Sequence, residues 1–346
     1  MSSPDSRAII AAAGSGKTQT IIDEALEASP GRVLITTFTN ENREQITARI
    51  QQQLGAMPSH IRVAGWFSIL LSEGARPYQR ALTNVPGRIR SLNFVGRRNR
   101  FAPRDNIGAY YLDKSGDMYR DGISDFVCRV DEETSGQVIA RLEAIFTHIF
   151  IDEVQDLVGY DLDFLELLFR SEITVTLVGD PRQHTYATNL SPRNKKYRGE
   201  GFVTWLDERR AICPIEFRAT SVRCCQEICD FADALFPGMP VTTSLNDDEV
   251  EHRGVFTIRR SDVADYVARW SPIVLREKKT YNTCDLPAMN IGVSKGRTFD
   301  RVLIFSTKPM LNYVATRDLS KLKTNDRLYV AVTRAKYSAT FVTDRE

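Results

Sequence analysis

Residues 11–18 have the sequence Ala-Ala-Ala-Gly-Ser-Gly-Lys-Thr, a glycine-rich segment from which the fold class can be inferred. The apolar run before it, residues 8–11, predicts a buried strand, and residues 18–28 after it have helical spacing. A glycine-rich turn between a strand and a helix lets backbone N–H groups surround phosphate oxygens, and the positive end of the helix faces the same charge. Lys17 can reach the outer phosphates, and the Thr18 hydroxyl can bind Mg²⁺. The predicted phosphate-binding residues are Ala13, Gly14, Ser15, Gly16, Lys17 and Thr18.

Predicted strands and helices alternate along most of the chain. After the loop come a strand at 33–38, a helix at 41–54, helices at 136–146 and 161–169, and strands at 148–151, 175–178, 254–258, 301–305 and 339–342. Such alternation is typical of α/β folds with parallel sheets. We expect two domains, residues 1–200 and 201–346. The first is expected to carry a reduced basic insertion at about 70–136, with a β-hairpin at 110–119.

The composition indicates a globular protein, with 42% hydrophobic and 26% charged residues among 346 and a net charge of +2. This balance argues against binding nucleic acid through bulk charge, but it allows a local basic groove. The six cysteines form no CxxC pair, so we expect no zinc site and interpret Cys224, Cys225 and Cys229 as buried small hydrophobes. Neither a secretory signal nor a membrane-spanning run is recognised, which predicts a cytoplasmic protein without membrane contact.

Two carboxylates, Asp152 and Glu153, follow the predicted strand 148–151. Carboxylates at the carboxyl end of a buried strand face the crevice that holds the phosphate loop. In that position Asp152 would hold Mg²⁺ through water, and Glu153 would deprotonate the attacking water. The alternative is an acidic helix start, because Asp and Glu favour that position. The order of the two segments favours the catalytic interpretation.

Six segments extend the pattern along the chain. They are residues 37–40 (Thr-Phe-Thr-Asn), 152–156 (Asp-Glu-Val-Gln-Asp), 179–183 (Gly-Asp-Pro-Arg-Gln), 221–224 (Ser-Val-Arg-Cys), 294–300 (Ser-Lys-Gly-Arg-Thr-Phe-Asp) and 328–336 (Leu-Tyr-Val-Ala-Val-Thr-Arg-Ala-Lys). In this order they resemble motifs Ia, II, III, IV, V and VI of the UvrD/Rep type of superfamily 1 DNA helicases. The resemblance covers nearly the whole chain, and the combination of motifs is highly specific.

The resemblance implies two RecA-like P-loop NTPase domains, with ATP and Mg²⁺ in the cleft between them. It implies that Gln183 senses the γ-phosphate, that Arg223 and Arg334 act as arginine fingers, and that Gly296 of motif V helps to bind the nucleotide. For Arg223 a surface salt bridge is the alternative. Arg334 follows an apolar run and is therefore expected at the end of a buried strand.

The resemblance also implies a groove for single-stranded DNA, or RNA. Its candidate contacts are Phe38, Thr39, Asn40 and Tyr186, since aromatic rings can stack on bases. Trp66 and Phe67 either border this groove or belong to the core, and for Phe67 we favour the core. The arginines of 88–104 and the basic connector 193–198 are candidate phosphate contacts, with a solvated surface as an equal alternative.

Several positions depart from the family pattern. Val222 replaces the adenine-stacking Tyr, Thr298 replaces the Glu that contacts the ribose, and Thr188 replaces the translocation Trp. About 65 residues separate motifs IV and V, too few for the large 2B insertion. We hypothesise that ATP is poorly distinguished from other nucleoside triphosphates.

Two functions follow from this reading. The first is an ATP-dependent translocase or helicase that moves on or remodels DNA, with little processive unwinding alone. The second is an ATP-driven regulatory or switch subunit of a DNA-processing or phage-defence complex, with a nuclease or another protein as partner. A small-molecule kinase is a weaker third reading, since such enzymes need no motifs V and VI.

Overall fold

The computed structural model describes residues 5–28, 31–82, 88–96, 101–185, 187–189 and 191–344. They form two compact units. The first contains the described residues of Met1–Ile10, Lys17–Pro181 and Tyr186–Glu216, and the second those of Ala11–Gly16, Arg182–Thr185 and Phe217–Glu346. The chain thus passes between units at 216 and 217, and the domain boundary at 200 and 201 stays a prediction.

The first unit is built on a parallel sheet. Its strands are β1 (Arg7–Ala11), β2 (Val33–Thr37), β3 (Ile61–Gly65), β6 (His148–Ile151), β7 (Thr174–Gly179) and β8 (Ile215–Arg218), and the insertion adds β4 (Leu92–Asn93) and β5 (Met118–Tyr119). The sheet order is β3-β2-β6-β7-β1-β8. Ile9 pairs with Val178, and Ile35 pairs with Phe150. Because β1, β2, β6 and β7 run parallel, their carboxyl ends share one edge of the sheet.

The first unit also contains helices, and its longer helices bury apolar residues. The helices are α1 (Lys17–Glu27), α2 (Asn40–Leu54), α3 (Trp66–Ile69), α4 (Arg76–Tyr78), α5 (Ile107–Tyr111), α6 (Ile123–Glu133), α7 (Gln137–Ile145), α8 (Tyr160–Phe169) and α9 (Gly201–Asp207), with a π-helical segment Leu70–Ala75 between α3 and α4. In α1, for example, Ile21, Ile22 and Ala25 are buried at helical spacing. Apart from the β-hairpin at 110–119, the predicted strands and helices of this unit are confirmed to within a few residues.

The predicted β-hairpin at 110–119 is wrong. Tyr111 is the last residue of helix α5. The helix starts after Asn106, whose side chain caps its N-terminus by accepting from the Ala109 backbone N–H at 3.2 Å. Leu112 and Met118 form one antiparallel bridge across the turn, while β5 pairs in parallel with β4. The turn was therefore predicted correctly, but its first arm is helical.

The second unit contains another parallel sheet. Its elements are strands β9 (Thr220–Ser221), β10 (Thr243–Ser244), β11 (Gly254–Arg259), β12 (Ile273–Arg276), β13 (Ala288–Asn290), β14 (Phe299–Phe305) and β15 (Ala335–Thr343), and helices α10 (Gln226–Asp233), α11 (Val263–Trp270), α12 (Lys308–Thr316) and α13 (Asn325–Val332). The main sheet has the order β11-β15-β14-β12-β13, and β9 pairs with β10. The α/β fold with parallel sheets is thereby confirmed.

Cys224, Cys225 and Cys229 lie in the apolar core of the second unit. Among the described residues, no group of three or more His, Cys, Asp or Glu side chains could hold a metal ion. The interpretation of these cysteines as small hydrophobes is confirmed. No helix in the described ranges is long and apolar enough to cross a bilayer.

Candidate functional site

The phosphate loop has the backbone conformation that its glycines predict. Gly14 and Gly16 have φ angles of +79° and +81°, in the left-handed region. A Cβ on Gly14 would lie 2.5 Å from the Arg223 Cβ and 2.6 Å from the Ser221 Oγ, so no larger residue fits. Beside Gly16, a Cβ would meet no atom within 4 Å. The loop is therefore closed on its Gly14 side and open at Gly16, where a ligand can approach the backbone.

Residues 11–16 are held within the second unit by hydrogen bonds. Ala12 N donates to the Arg218 carbonyl at 2.9 Å, and Val222 N donates to the Gly14 carbonyl at 3.0 Å. The Ser221 hydroxyl donates to the Ala13 carbonyl at 2.8 Å. These bonds tie the loop to the start of motif IV, a role that the sequence did not reveal for Ser221.

Tyr329 of motif VI also contacts the loop. Its hydroxyl accepts from the Ala13 N–H at 3.2 Å, and Arg182 lies over its ring at 4.9 Å. Arg182 is buried and forms an ion pair with Asp233 at 3.3 Å. Sequence reasoning missed both Tyr329 and Arg182, although each stands beside a predicted site residue in its motif.

Arg334 lies after a helix, and the prediction that it ends a buried strand is wrong. The apolar run before it belongs to α13, whose residues Leu328–Val332 are all buried. Since every side of this helical turn is buried, its sequence has no polar face to reveal the helical period. Arg334 itself is only 1% exposed.

Arg334 connects motifs III, V and VI within the second unit. Its guanidinium donates to the Gln183 Oε1 at 3.2 Å and to the Arg297 carbonyl at 3.3 Å. Gly296, next to Arg297, has a φ of +81°. Arg223 donates to the Thr333 carbonyl at 3.2 Å. The structure thus brings together the predicted residues Gly14, Gln183, Arg223, Gly296 and Arg334 with the backbone of the loop.

Asp152 and Glu153 lie at the carboxyl end of β6 in the first unit. Asp152 is 4% exposed, its backbone N–H bonds the Thr36 carbonyl at 2.9 Å, and its Oδ1 accepts from the Glu153 N–H at 2.9 Å. Glu153 has a φ of +56°, which is strained for a residue with a side chain. No regular helix begins here; a single 3₁₀ turn, Val154–Asp156, follows.

Gln155 joins the Glu153 carboxylate to motif III. Its Nε2 donates to the Glu153 carboxylate, and its Oε1 accepts from the Asp180 N–H at 3.1 Å. A Cβ on Gly179 would lie 2.4 Å from that Oε1, so only glycine leaves room for this contact. The Glu153 carboxylate therefore has a fixed orientation on a strained backbone.

The remaining nucleotide residues follow the loop along the chain. Lys17 and Thr18 begin α1 and are half-buried. The Ser15 hydroxyl is buried and makes no hydrogen bond within the described part of the chain. The Asp152 carboxylate and the Thr18 hydroxyl would be the protein ligands of a metal ion. Such a small set of oxygen ligands suits Mg²⁺, which usually keeps waters and substrate phosphates as its other ligands. An orphaned hydroxyl and an open glycine backbone fit a phosphate group beside them.

The predicted nucleic-acid residues of motif Ia lie at the end of β2. Thr39 caps α2 by accepting from the Asn42 N–H at 3.1 Å, and Asn40 is exposed. Phe38 is half-buried, and its ring contacts Phe67 edge-on at 5.6 Å. Phe67 contacts Phe94 at 5.9 Å, and Phe94 is 57% exposed. Tyr186 lies outside the described residues.

A buried carboxyl group, that of Asp161, explains why the polar atoms of Trp66 and Thr188 face the core. Asp161 is fully buried, and it accepts hydrogen bonds from the Trp66 indole at 2.9 Å, from Val158 N at 3.2 Å, from Asn189 Nδ2 at 3.1 Å and from the hydroxyls of Ser124 and Thr188. Burial raises the pKa of Asp161, and these bonds only partly offset that effect. Trp66 and Phe67 are both buried, so the core interpretation of Phe67 is confirmed.

The candidate phosphate contacts divide into two groups. Arg88 and Arg90 are exposed, whereas Arg104 is paired with Asp125 at 2.5 Å and Arg193 with Asp163 at 2.8 Å. Arg97, Arg98 and Arg100 lie outside the described residues. The exposed pair remains available to an anion, while the paired arginines also stabilise the first unit.

Two family models match the chain. One, described as an AAA domain, matches residues 2–189, and the other, described as the viral superfamily 1 RNA helicase core domain, matches residues 120–343. Together with the loop geometry they define a P-loop NTPase. Within that class the chain belongs to the superfamily 1 helicases, a family of ATPase and helicase enzymes.

Three solved helicase structures match nearly the whole length of this chain. The PRRSV helicase is 18% identical with a TM-score of 0.47, and the match covers 98% of this chain and 52% of that one. The Arterivirus nonstructural protein 10 helicase is 13% identical with a TM-score of 0.51, covering 98% and 59%. Its complex with DNA is 15% identical with a TM-score of 0.49, covering 97% and 60%. The chain therefore spans 52–60% of these helicases, and no curated protein matches it.

Proposed function

We propose that the chain is the ATP-hydrolysing core of a UvrD-like translocase or helicase that acts on single-stranded DNA in the cytoplasm. The hydrogen bond between Arg334 and Gln183 carries this proposal. Both residues, with Arg223, belong to the same unit as the phosphate loop backbone. Arginines placed beside a phosphate site stabilise the charge that develops during phosphoryl transfer. Because Gln183 is hydrogen-bonded to Arg334, a movement of Arg334 would change the position of the Gln183 side chain.

In this proposal Glu153 takes a proton from the water that attacks the γ-phosphorus, and ADP leaves with the electron pair of the broken bond. The Gln155 amide orients the Glu153 carboxylate for that transfer. Lys17 and the N–H groups of the loop hold the phosphates. Thr18, and Asp152 through water, would hold Mg²⁺, which would supply positive charge to the phosphates.

Single-stranded nucleic acid is proposed to cross the end of β2. The half-buried Phe38 offers an edge and a face for stacking, and the exposed Asn40 offers an amide to a phosphate. Phe94 and the exposed Arg88 and Arg90 extend this surface within the first unit. Tyr186 stays a proposed contact from the family resemblance.

The test is the ATPase rate of the purified chain with and without single-stranded DNA and RNA. The wild type is expected to be stimulated at least tenfold by one of them, and Lys17→Ala is expected to lose both basal and stimulated activity, about a hundredfold. Lys114→Ala, in the exposed turn after α5, is the matched control and should behave as wild type. An ATPase that ignores every polynucleotide would contradict the translocase.

The burial of Thr188 favours a second candidate, an ATP-driven switch subunit of a DNA-processing complex. Thr188 is fully buried and bonds Asp161, so this position offers no ring to a base. Such a subunit would hydrolyse ATP at a rate set by a protein partner, for example a nuclease. Co-purification with that partner, changed by ATP and unchanged by DNA, would favour this candidate.

A further inference from the structure

A cavity of about 600 Å³ lies on the second unit beside β11, the edge strand of its sheet. None of its lining residues belongs to the motifs around the phosphate loop. The residues that matter here are His252, Arg253, Phe256, Tyr266, Arg269 and Trp270. Four of these side chains are aromatic and two are cationic, a combination typical of sites for bases and phosphates.

Three of the rings form a continuous stack. The His252 imidazole lies 4.0 Å from the Phe256 ring and 4.7 Å from the Trp270 ring, measured between centroids. The interplanar angles are 15° and 14°, so the three rings are nearly parallel. Phe256 and Trp270 therefore leave between them a gap that is one planar ring thick, and His252 fills it.

His252 occupies this gap at a conformational cost. Its φ of +61° lies in the left-handed region, which a residue with a Cβ rarely adopts. Its Nε2 bonds the Tyr266 hydroxyl at 2.9 Å, and that hydroxyl bonds the buried Thr340 hydroxyl at 2.7 Å. One hydrogen bond and two stacking contacts thus hold the imidazole in the gap against an unfavourable backbone conformation.

Guanidinium groups surround the stack. Arg269 and Arg301 lie over the Trp270 ring, at 4.7 and 4.8 Å from its centroid. The Nε atoms of Arg253 and Arg301 are buried and make no hydrogen bond within the described residues. Glu251 is 3.7 Å from Arg269, and Glu227 is 3.8 Å from Arg253. Arg269 and Arg253 are thus each ion-paired with one carboxylate, and the three guanidinium groups exceed these two carboxylates by one positive charge, which is available to a phosphate.

We propose that Phe256 and Trp270 form a clamp for a nucleobase, which His252 occupies until a base of a single-stranded nucleic acid replaces it. Arg253 and Arg269 would then hold the phosphate attached to that base. A free nucleotide has the same chemistry, so the experiment must separate the two sources. The clamp uses no residue of the ATP site, and its test is independent of ATP hydrolysis.

Tryptophan fluorescence reports on this clamp specifically. The chain has three tryptophans, of which Trp66 and Trp205 are 3% and 1% exposed, while Trp270 is half-buried at the cavity. The full chain is titrated without ATP with a single-stranded decanucleotide and, separately, with mononucleotides. Saturable quenching is expected with the decanucleotide and is expected to vanish in Trp270→Leu.

His252→Gly is the decisive variant, because glycine suits the left-handed backbone and empties the gap. It is expected to bind the decanucleotide about tenfold more tightly, because the base no longer has to displace the imidazole. His252→Asn, which also tolerates this backbone, is the second variant. Arg269→Gln should weaken binding, whereas Arg317→Gln, an exposed arginine over Phe231 in the same unit, should leave it unchanged.

The results of these titrations distinguish a clamp for a strand from a free-nucleotide site and from a ring that only packs. Equal quenching by mononucleotides and decanucleotide would overturn the assignment to a strand and leave a free-nucleotide site. Unchanged or weaker binding by both His252 variants, with native circular dichroism, would show that the ring only packs and would overturn the proposal. A failure of DNA to stimulate the ATPase would refute the proposed function and leave the clamp intact.

Discussion

At the scale of single residues, Gln155 is expected to control catalysis without touching the substrate. Its amide fixes the Glu153 carboxylate on one side and the Asp180 N–H on the other. Gln155→Leu should therefore reduce kcat about 10- to 100-fold and leave KM for ATP unchanged, because only the orientation of the base is lost. Steady-state ATPase kinetics measure both constants.

Gly179 provides an independent check of the same contact. Gly179→Ala places a methyl group 2.4 Å from the Gln155 Oε1 and must displace that amide. Its kcat should fall as in Gln155→Leu, and Glu153→Gln should fall further still. A raised KM with an unchanged kcat in Gln155→Leu would mean that Gln155 binds the nucleotide instead.

Val222 predicts weak discrimination between nucleobases. It is 62% exposed and gives a base a small aliphatic surface in place of a tyrosine ring. We expect kcat/KM for ATP and GTP to agree within about threefold, less than 1 kcal/mol. Val222→Tyr should lower KM for both about two- to tenfold, as an added aromatic contact would. Val241→Tyr, at another exposed valine of the unit, is the control, and a strict preference of the wild type for ATP would refute the idea.

At the scale of elements, the sequence predicted what local chemistry determines. Strands β1, β2, β6 and β7 are short apolar runs bounded by turn residues, and their helices have clear polar faces. Helix α13 was not predicted from the sequence, because all sides of Leu328–Val332 are buried and leave no polar face. Contacts between distant segments, such as Trp66 with Asp161 or His252 with Trp270, have no local signal at all.

The π-helical segment Leu70–Ala75 depends on one glycine. A Cβ on Gly74 would lie 2.8 Å from the Val127 Cγ1 in α6, closer than real atoms approach. Gly74→Ala should therefore lower the free energy of unfolding by about 1–3 kcal/mol through overpacking. Urea denaturation followed by circular dichroism measures this loss.

Val127→Ala makes room for the new methyl group. Alone it removes buried carbon atoms and should also destabilise the protein. Combined with Gly74→Ala, it should cost clearly less than the sum of the two single changes, because each change fits the other. Strictly additive losses would show that the two residues do not press on each other.

At the scale of the whole molecule, the residues for ATP hydrolysis match the family pattern more completely than the features for duplex separation do. The residues around the phosphates match their motifs, and the structure brings Gly14, Gln183, Arg223 and Arg334 together within one unit. By contrast, Thr188 is buried against Asp161, and about 65 residues between motifs IV and V leave no space for a large inserted domain. Hydrolysis and unwinding should therefore separate in experiment.

The purified chain is expected to hydrolyse ATP and to displace a protein block from the end of a short single strand, but not to unwind a long duplex. A base-stacking contact of about 1–3 kcal/mol is absent at position 188. Thr188→Trp should not restore it, because the larger ring would enter the buried Asp161 network and destabilise the first unit. Fluorescent strand-separation assays on duplexes of increasing length test this directly. Robust unwinding of a long duplex by the wild type alone would show that strand separation needs neither the missing ring nor an added domain.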